Sequence, residues 1–221
     1  MFEKRLKELN EKFAKKFTQE IKEEPYYILS NYKAEREIYF KGNKKAIEFI
    51  KEKFKYSPFK KFIYFLITLG VLQPLLKKIE LHPTFGDVIY VANNIKAFDL
   101  TWNTVMSFPK TKDKSGDFLE VVRNKDVRKE LSPKLLKINN EVPYIKEELL
   151  KKYDGDSKIP LTRLKEFNER TGFIHGSLAD EHILMKDGEP IFIDWDNMKK
   201  GTFIEEVDYY IHLLKDRRLN K

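Results

Sequence analysis

The stretch Phe173–Asn197, FIHGSLADEHILMKDGEPIFIDWDN, constrains the fold of this chain more than any other. It reads as two apolar, strand-like runs joined by Lys186-Asp187-Gly188-Glu189, and Lys-Asp-Gly between short apolar runs signals a β-hairpin. His175-Gly176 stands just before the first run; Asp194 and Asp196 stand at the end of the second. The hairpin therefore brings a short histidine-bearing loop close to an acidic strand end. Carboxylates placed in this way can hold a metal ion against a phosphate.

The same residues resemble the catalytic half of the aminoglycoside phosphotransferase-like and lipopolysaccharide-kinase-like branch of the protein-kinase fold. That branch carries H-G-D-(x)4-N-(I/V)-L, a hairpin, and then (I/V)-D-W or (I/V)-D-F. Here His175-Gly176-Ser177 is followed by Leu178 to Glu181, then His182-Ile183-Leu184, and later Ile193-Asp194-Trp195. Spacing and apolar positions agree. The resemblance implies that Asp194 holds magnesium against the phosphates of ATP and that His175 braces the loop at Gly176. It also implies that Asp208, early in a helix over Glu205–Leu214, bonds the backbone of the catalytic loop.

Two central positions depart from the pattern. Ser177 stands where the family has its catalytic aspartate, and His182 where it has a metal-binding asparagine. Serine cannot take up a proton near neutral pH. Histidine binds a metal through one ring nitrogen, whereas magnesium prefers oxygen. Asp180, three residues after Ser177, and Asp196, two after Asp194, are the nearest carboxylates for a rearranged site: Asp180 as the replacement base, Asp196 or His182 to complete the metal site. Blander readings stand beside these. The two aspartates suit a solvated strand end, His182 suits a loop histidine bonded to backbone, and Asp208 suits an acidic first helical turn favoured by the helix dipole.

Upstream, Ile95–Leu100 and Thr104–Phe108 read as strands. The resemblance puts a phosphate-gripping lysine at the position of Ser107, and no G-x-G-x-x-G loop occurs anywhere in the chain. Phe118–Leu131 reads as a helix stopped by Ser132-Pro133. Within it Glu120 is the candidate nucleotide-site glutamate that would pair with the missing lysine, and a solvated helix charge is its ordinary role. Lys134–Ile138 and Val142–Lys146 form a second hairpin around an Asn-rich turn. Pro160–Arg170 suits a helix closed by Gly172.

Residues 1–24 carry Phe2, Leu6, Leu9, Phe13, Phe17 and Ile21 at helical spacing, with Pro25 as the stop. Strands follow at Tyr26–Leu29 and Glu37–Phe40, then a helix over Asn43–Phe54. Phe62–Leu76, FIYFLITLGVLQPLL, is the most apolar run, flanked by Lys60, Lys61, Lys77 and Lys78. A spanning helix needs about 20 apolar residues, so this run reads as a buried helix bending near Pro74, or as a peripheral membrane contact.

Lysine and arginine number 43 against 35 aspartate and glutamate, a net charge of +8 that suits phosphates or anionic lipid. No base-reading pattern or zinc spacing points to sequence-specific nucleic-acid binding. There is no cysteine, which removes thiol chemistry, and no signal peptide is visible, so cytoplasm is the expected location.

The expected architecture is an α+β, two-lobed kinase-like domain. An amino-terminal helical extension would cover 1–80, an antiparallel small lobe 81–150, and a reduced helical large lobe 151–221. Two functions fit. One is a pseudokinase that binds nucleotide, a small molecule or a protein partner and has lost the chemistry, since Ser107, Ser177 and His182 all depart toward loss. The other is an ATP- and Mg2+-dependent phosphotransferase acting on a small-molecule or sugar hydroxyl, because phosphoryl transfer rests largely on positioning and charge.

Overall fold

The computed structural model describes residues 2–16, 22–31, 36–53, 66–67, 69–92, 95–108, 126–139, 142, 144–156 and 158–219, apart from the side chains of residues 2, 30, 31, 36, 196 and 214–219. Contacts divide the chain into two compact units, Met1–Lys110 with Leu135–Glu148, and Thr111–Lys134 with Leu149–Lys221.

The first unit is built on an antiparallel sheet of eight strands: β1 (Glu24–Asn31), β2 (Arg36–Phe40), β3 (Lys78–Leu81), β4 (Val88–Val91), β5 (Ile95–Asp99), β6 (Thr104–Phe108), β7 (Leu135–Asn139) and β8 (Tyr144–Glu148). Their order is β3-β1-β2-β4-β5-β6-β8-β7. Strand alternation sends Tyr26, Ile28, Tyr39, Leu81, Ile89, Val91, Ile95, Ala97, Met106, Phe108 and Tyr144 into one core. Helix α1 (Phe2–Lys16) closes that core with Leu6, Leu9 and Phe13, which share one helical face. The Phe13 ring meets Phe85 and Phe108 edge-on, with centroids 5.1 and 6.0 Å away. Asn10 Oδ1 accepts the His82 N–H at 2.6 Å and locks the helix to the end of β3. Helix α2 (Lys44–Lys53) starts at Asn43, whose Oδ1 accepts the Ala46 N–H. Its Phe49 ring lies 5.0 Å from Phe98, which alternates away from the Ala97 face.

The second unit contains helices α3 (Lys158–Thr171) and α4 (Phe203–Leu219) and the short strands β9 (Lys151–Lys152), β10 (Phe173–Ile174), β11 (Ile183–Lys186), β12 (Glu189–Phe192) and β13 (Lys199–Lys200). The hairpin expected around Asp187-Gly188 is β11–β12, in register from Ile183 opposite Phe192 to Lys186 opposite Glu189. Both turn residues have positive φ, 52° and 85°, as a two-residue hairpin loop requires. Leu131, Leu164, Phe167, Leu178, Ile183, Phe192 and Trp195 form its core.

The protein is thus α+β, with a large antiparallel sheet and four α-helices among the described residues. Several expectations need correction. The first eighty residues are not a purely helical extension, because β1, β2 and β3 lie within the sheet. Helix α1 ends at Lys16 in the described part, and Pro25, expected to stop it, is the second residue of β1; proline is tolerated at a strand's start. Strands β3 and β4 were not foreseen. The helix expected to run to Leu131 does not reach it: Lys129–Leu131 is a single 3-10 turn, and residues 118–125 lie outside the described part. The end of the apolar run Phe62–Leu76 is not a buried helix either. Gln73–Leu75 is a 3-10 turn with Pro74 in its first turn, and Leu69, Val71 and Leu75 are 59, 60 and 79 % exposed.

Candidate functional site

The loop after β10 and the strand end after β12 are tied by direct hydrogen bonds. His175 Nε2 lies 2.8 Å from the Ile193 carbonyl, which can only accept, so this nitrogen carries the proton. Ser177 Oγ donates to the Asp194 carbonyl at 3.1 Å. The Ile193 N–H donates to the His182 carbonyl at 3.0 Å. These bonds join the His175–Ser177 loop to the backbone of the strand end at Ile193 and Asp194.

His175 is completely buried. Its ring centroid lies 4.6 Å from that of Trp195 and 6.0 Å from that of His182. Burial pulls its pKa down to about 4, outweighing the bond to Ile193. Burial favours its uncharged form, and the bond to Ile193 ties the loop to the strand end. Gly176 has φ 79°, and a Cβ there would stand 2.1 Å from the Asn197 carbonyl oxygen. Only glycine lets the loop pass this close.

The bond to the loop backbone expected from Asp208 comes from Glu206 instead. Glu206 is almost entirely buried, and its Oε2 accepts the Gly176 N–H at 2.9 Å. Burial raises its pKa, while the amides of Gly176, Leu178 and His175 pull the other way. Asp208 is exposed. Two residues along a helix is about 200° of rotation, so Asp208 faces away from whatever Glu206 faces. A sequence signal for Glu206 existed: Phe203, Glu206, Val207 and Tyr210 follow the i, i+3, i+4, i+7 pattern of a packed face, with a carboxylate in an apolar position.

Asp194 has φ 63° and ψ 48°, a left-handed conformation uncommon outside glycine and a recurrent mark of functional positions. Its Oδ2 lies 3.4 Å from His182 Nε2. His182 Nδ1 lies 2.8 Å from the Ser177 carbonyl, so the loop histidine is indeed bonded to backbone as well as facing the carboxylate. Asp196 lies in the 3-10 turn Trp195–Asn197, its side chain outside the described part. Among the described residues no three histidine, aspartate or glutamate side chains converge as a metal-binding group. Asp180 is exposed, and its Oδ1 accepts the Tyr210 hydroxyl. Ser177 spends its hydroxyl proton on the Asp194 backbone.

Glu120 lies outside the described residues. Ser107, on β6, stands directly opposite Lys96 of β5. Residues paired across two strands project to the same face.

No protein-family model matches the chain, and no curated protein matches its sequence.

Proposed function

We propose that this chain is a degenerate kinase-like module that binds a nucleotide, or a similar phosphate compound, and serves as a binding or regulatory protein without efficient phosphoryl transfer. The observation that carries the reading is Asp194: a strand-end carboxylate in a left-handed conformation, tied to the His175–Ser177 loop and facing His182 Nε2 at 3.4 Å. The antiparallel sheet, in which β4, β5, β6, β8 and β7 are successive neighbours, is compatible with an antiparallel small lobe and supports the reading. The loss of chemistry follows from Ser177, whose hydroxyl donates to the Asp194 carbonyl and has no basicity to lend an acceptor.

The test is thermal melting with and without ATP and a divalent cation, followed by a turnover assay. Ligand at a hundred times its dissociation constant stabilises by about 3 kcal/mol, or roughly 5 °C or more for a chain of this size. A rise without turnover is the expected result. Turnover lost in Asp194→Ala would instead establish the phosphotransferase. No rise with any cation would reject both.

A second reading is favoured by one observation. Leu69, Val71 and Leu75 are exposed apolar side chains next to Lys77 and Lys78, a combination suited to the surface of an anionic membrane. No helix among the described residues is long and apolar enough to cross one. Co-sedimentation with anionic vesicles that is lost in Val71→Glu/Leu75→Glu supports peripheral binding; equal sedimentation of that variant removes it.

A further inference from the structure

We infer that two copies of this chain associate edge to edge through strand β3, antiparallel about a two-fold axis at Ile79. The inference goes beyond the proposed function and does not depend on it, because β3 belongs to the first unit and the residues His175 to Asp194 belong to the second.

Backbone direction comes first. Among the described residues β3 ends the sheet, with β1 on its inner side. In an antiparallel pair, residues that exchange hydrogen bonds with the neighbour alternate with residues that do not. The Ile28 N–H donates to the Lys77 carbonyl at 3.0 Å, and the register sets Tyr26 opposite Ile79 and Pro25 opposite Glu80. Lys77, Ile79 and Leu81 therefore turn their backbone polar groups toward β1. Pro25, which has no N–H, falls at a position that needs none. The N–H and C=O groups of Lys78 and Glu80 point the other way, and no described residue takes them up. Both residues are exposed and Ile79 is half-buried, so among the described residues the edge is open.

Charge then selects the register and the occupant. A two-fold axis at Lys78 or at Glu80 sets like charges face to face. An axis at Ile79 sets Lys78 of each copy directly opposite Glu80 of the other, both on one face of the joined sheet. These are the two residues whose backbone groups point outward, so the same register completes two hydrogen-bonded pairs. Charges on a sheet edge ordinarily deter pairing. Here Lys78-Ile79-Glu80 read backwards is complementary to itself, which fits a second copy of the chain. The opposite edge lacks this property. In β7 the single charged residue is Lys137, and the register with β8 shifts between Leu135 and Lys137, so a two-fold there gains no ion pair.

The test is sedimentation velocity of the full chain over a concentration series. A strand of four residues makes a small interface, so a monomer–dimer equilibrium with a dissociation constant of about 10–500 μM is expected. Lys78→Glu and Glu80→Lys should each weaken the dimer at least tenfold, and the double exchange Lys78→Glu/Glu80→Lys should restore it. Glu80→Pro removes an outward N–H and leaves the β1–β3 bonds intact; it should abolish the dimer with little change in melting temperature. In case a variant misfolds, hydrogen exchange of the wild-type Lys78 and Glu80 amides is followed as well, and it should slow as protein concentration rises. Four results would each overturn the inference. They are a monomer at every concentration, a dimer indifferent to both single charge reversals, a double exchange as dissociated as the single reversals, and assemblies that grow beyond the dimer, as pairing of β3 with β7 of the next copy would produce.

Discussion

Glu206 and Asp208 sit two residues apart on α4, and their contrast is the sharpest residue-scale consequence of the fold. Glu206→Ala leaves the half-buried Gly176 N–H without its acceptor and should cost about 2 kcal/mol. Asp208→Ala alters an exposed side chain and should fall within about 0.5 kcal/mol of wild type. Urea midpoints measure both, and equal effects would contradict the assignment. Gly176→Ala should be the more damaging change, since the methyl group meets backbone and cannot be relieved by a rotamer. His175 adds a dependence on pH. Its folded pKa of about 4 lies below its ordinary 6.5, so the unfolded chain takes up the proton first as pH falls. The stability it contributes is present above pH 6.5 and is lost as pH falls from 6.5 toward 4, by up to about 3 kcal/mol. The raised pKa of Glu206 acts in the opposite sense: its penalty is relieved as pH falls through its folded pKa. Urea midpoints should therefore fall less steeply with acidification from pH 6.5 to 5 in His175→Gln than in wild type. The motif made the His175 brace legible. It could not distinguish Glu206 from Asp208, because which helical face turns inward depends on packing.

Among the elements, the clearest sequence signals belonged to those with local punctuation. The β11–β12 hairpin was marked by Asp187-Gly188 and the β7–β8 turn by its asparagines. In the β7–β8 turn, Asn139 Oδ1 accepts the Val142 N–H at 3.2 Å. Elements defined by distant partners were not legible. β3 pairs with β1 across some fifty intervening residues, and no local pattern announces that. The β5–β6 register, which sets Lys96 opposite Ser107, was invisible for the same reason.

On the scale of the whole molecule, two units with separate cores are built from interleaved stretches of chain. Leu131 illustrates the interleaving: it lies between two strands of the sheet in sequence but packs with Leu164 and Phe167 in the second unit. The two tryptophans divide likewise, Trp102 exposed in the β5–β6 turn and Trp195 buried beside His175. With Trp102→Phe as background, Trp195 fluorescence reports the second unit alone. Gly176→Ala should lower that transition in urea, and an unchanged Trp195 transition would mean that the loop does not support its unit. The central claim, a phosphate-binding site organised by Asp194, is tested most directly by calorimetric titration of ATP at fixed Mn2+ into wild type and Asp194→Asn. The account predicts one-to-one binding in wild type and at least a tenfold loss of affinity in the variant, both without ATP hydrolysis. Equal affinities, or no heat of binding in wild type, would contradict it.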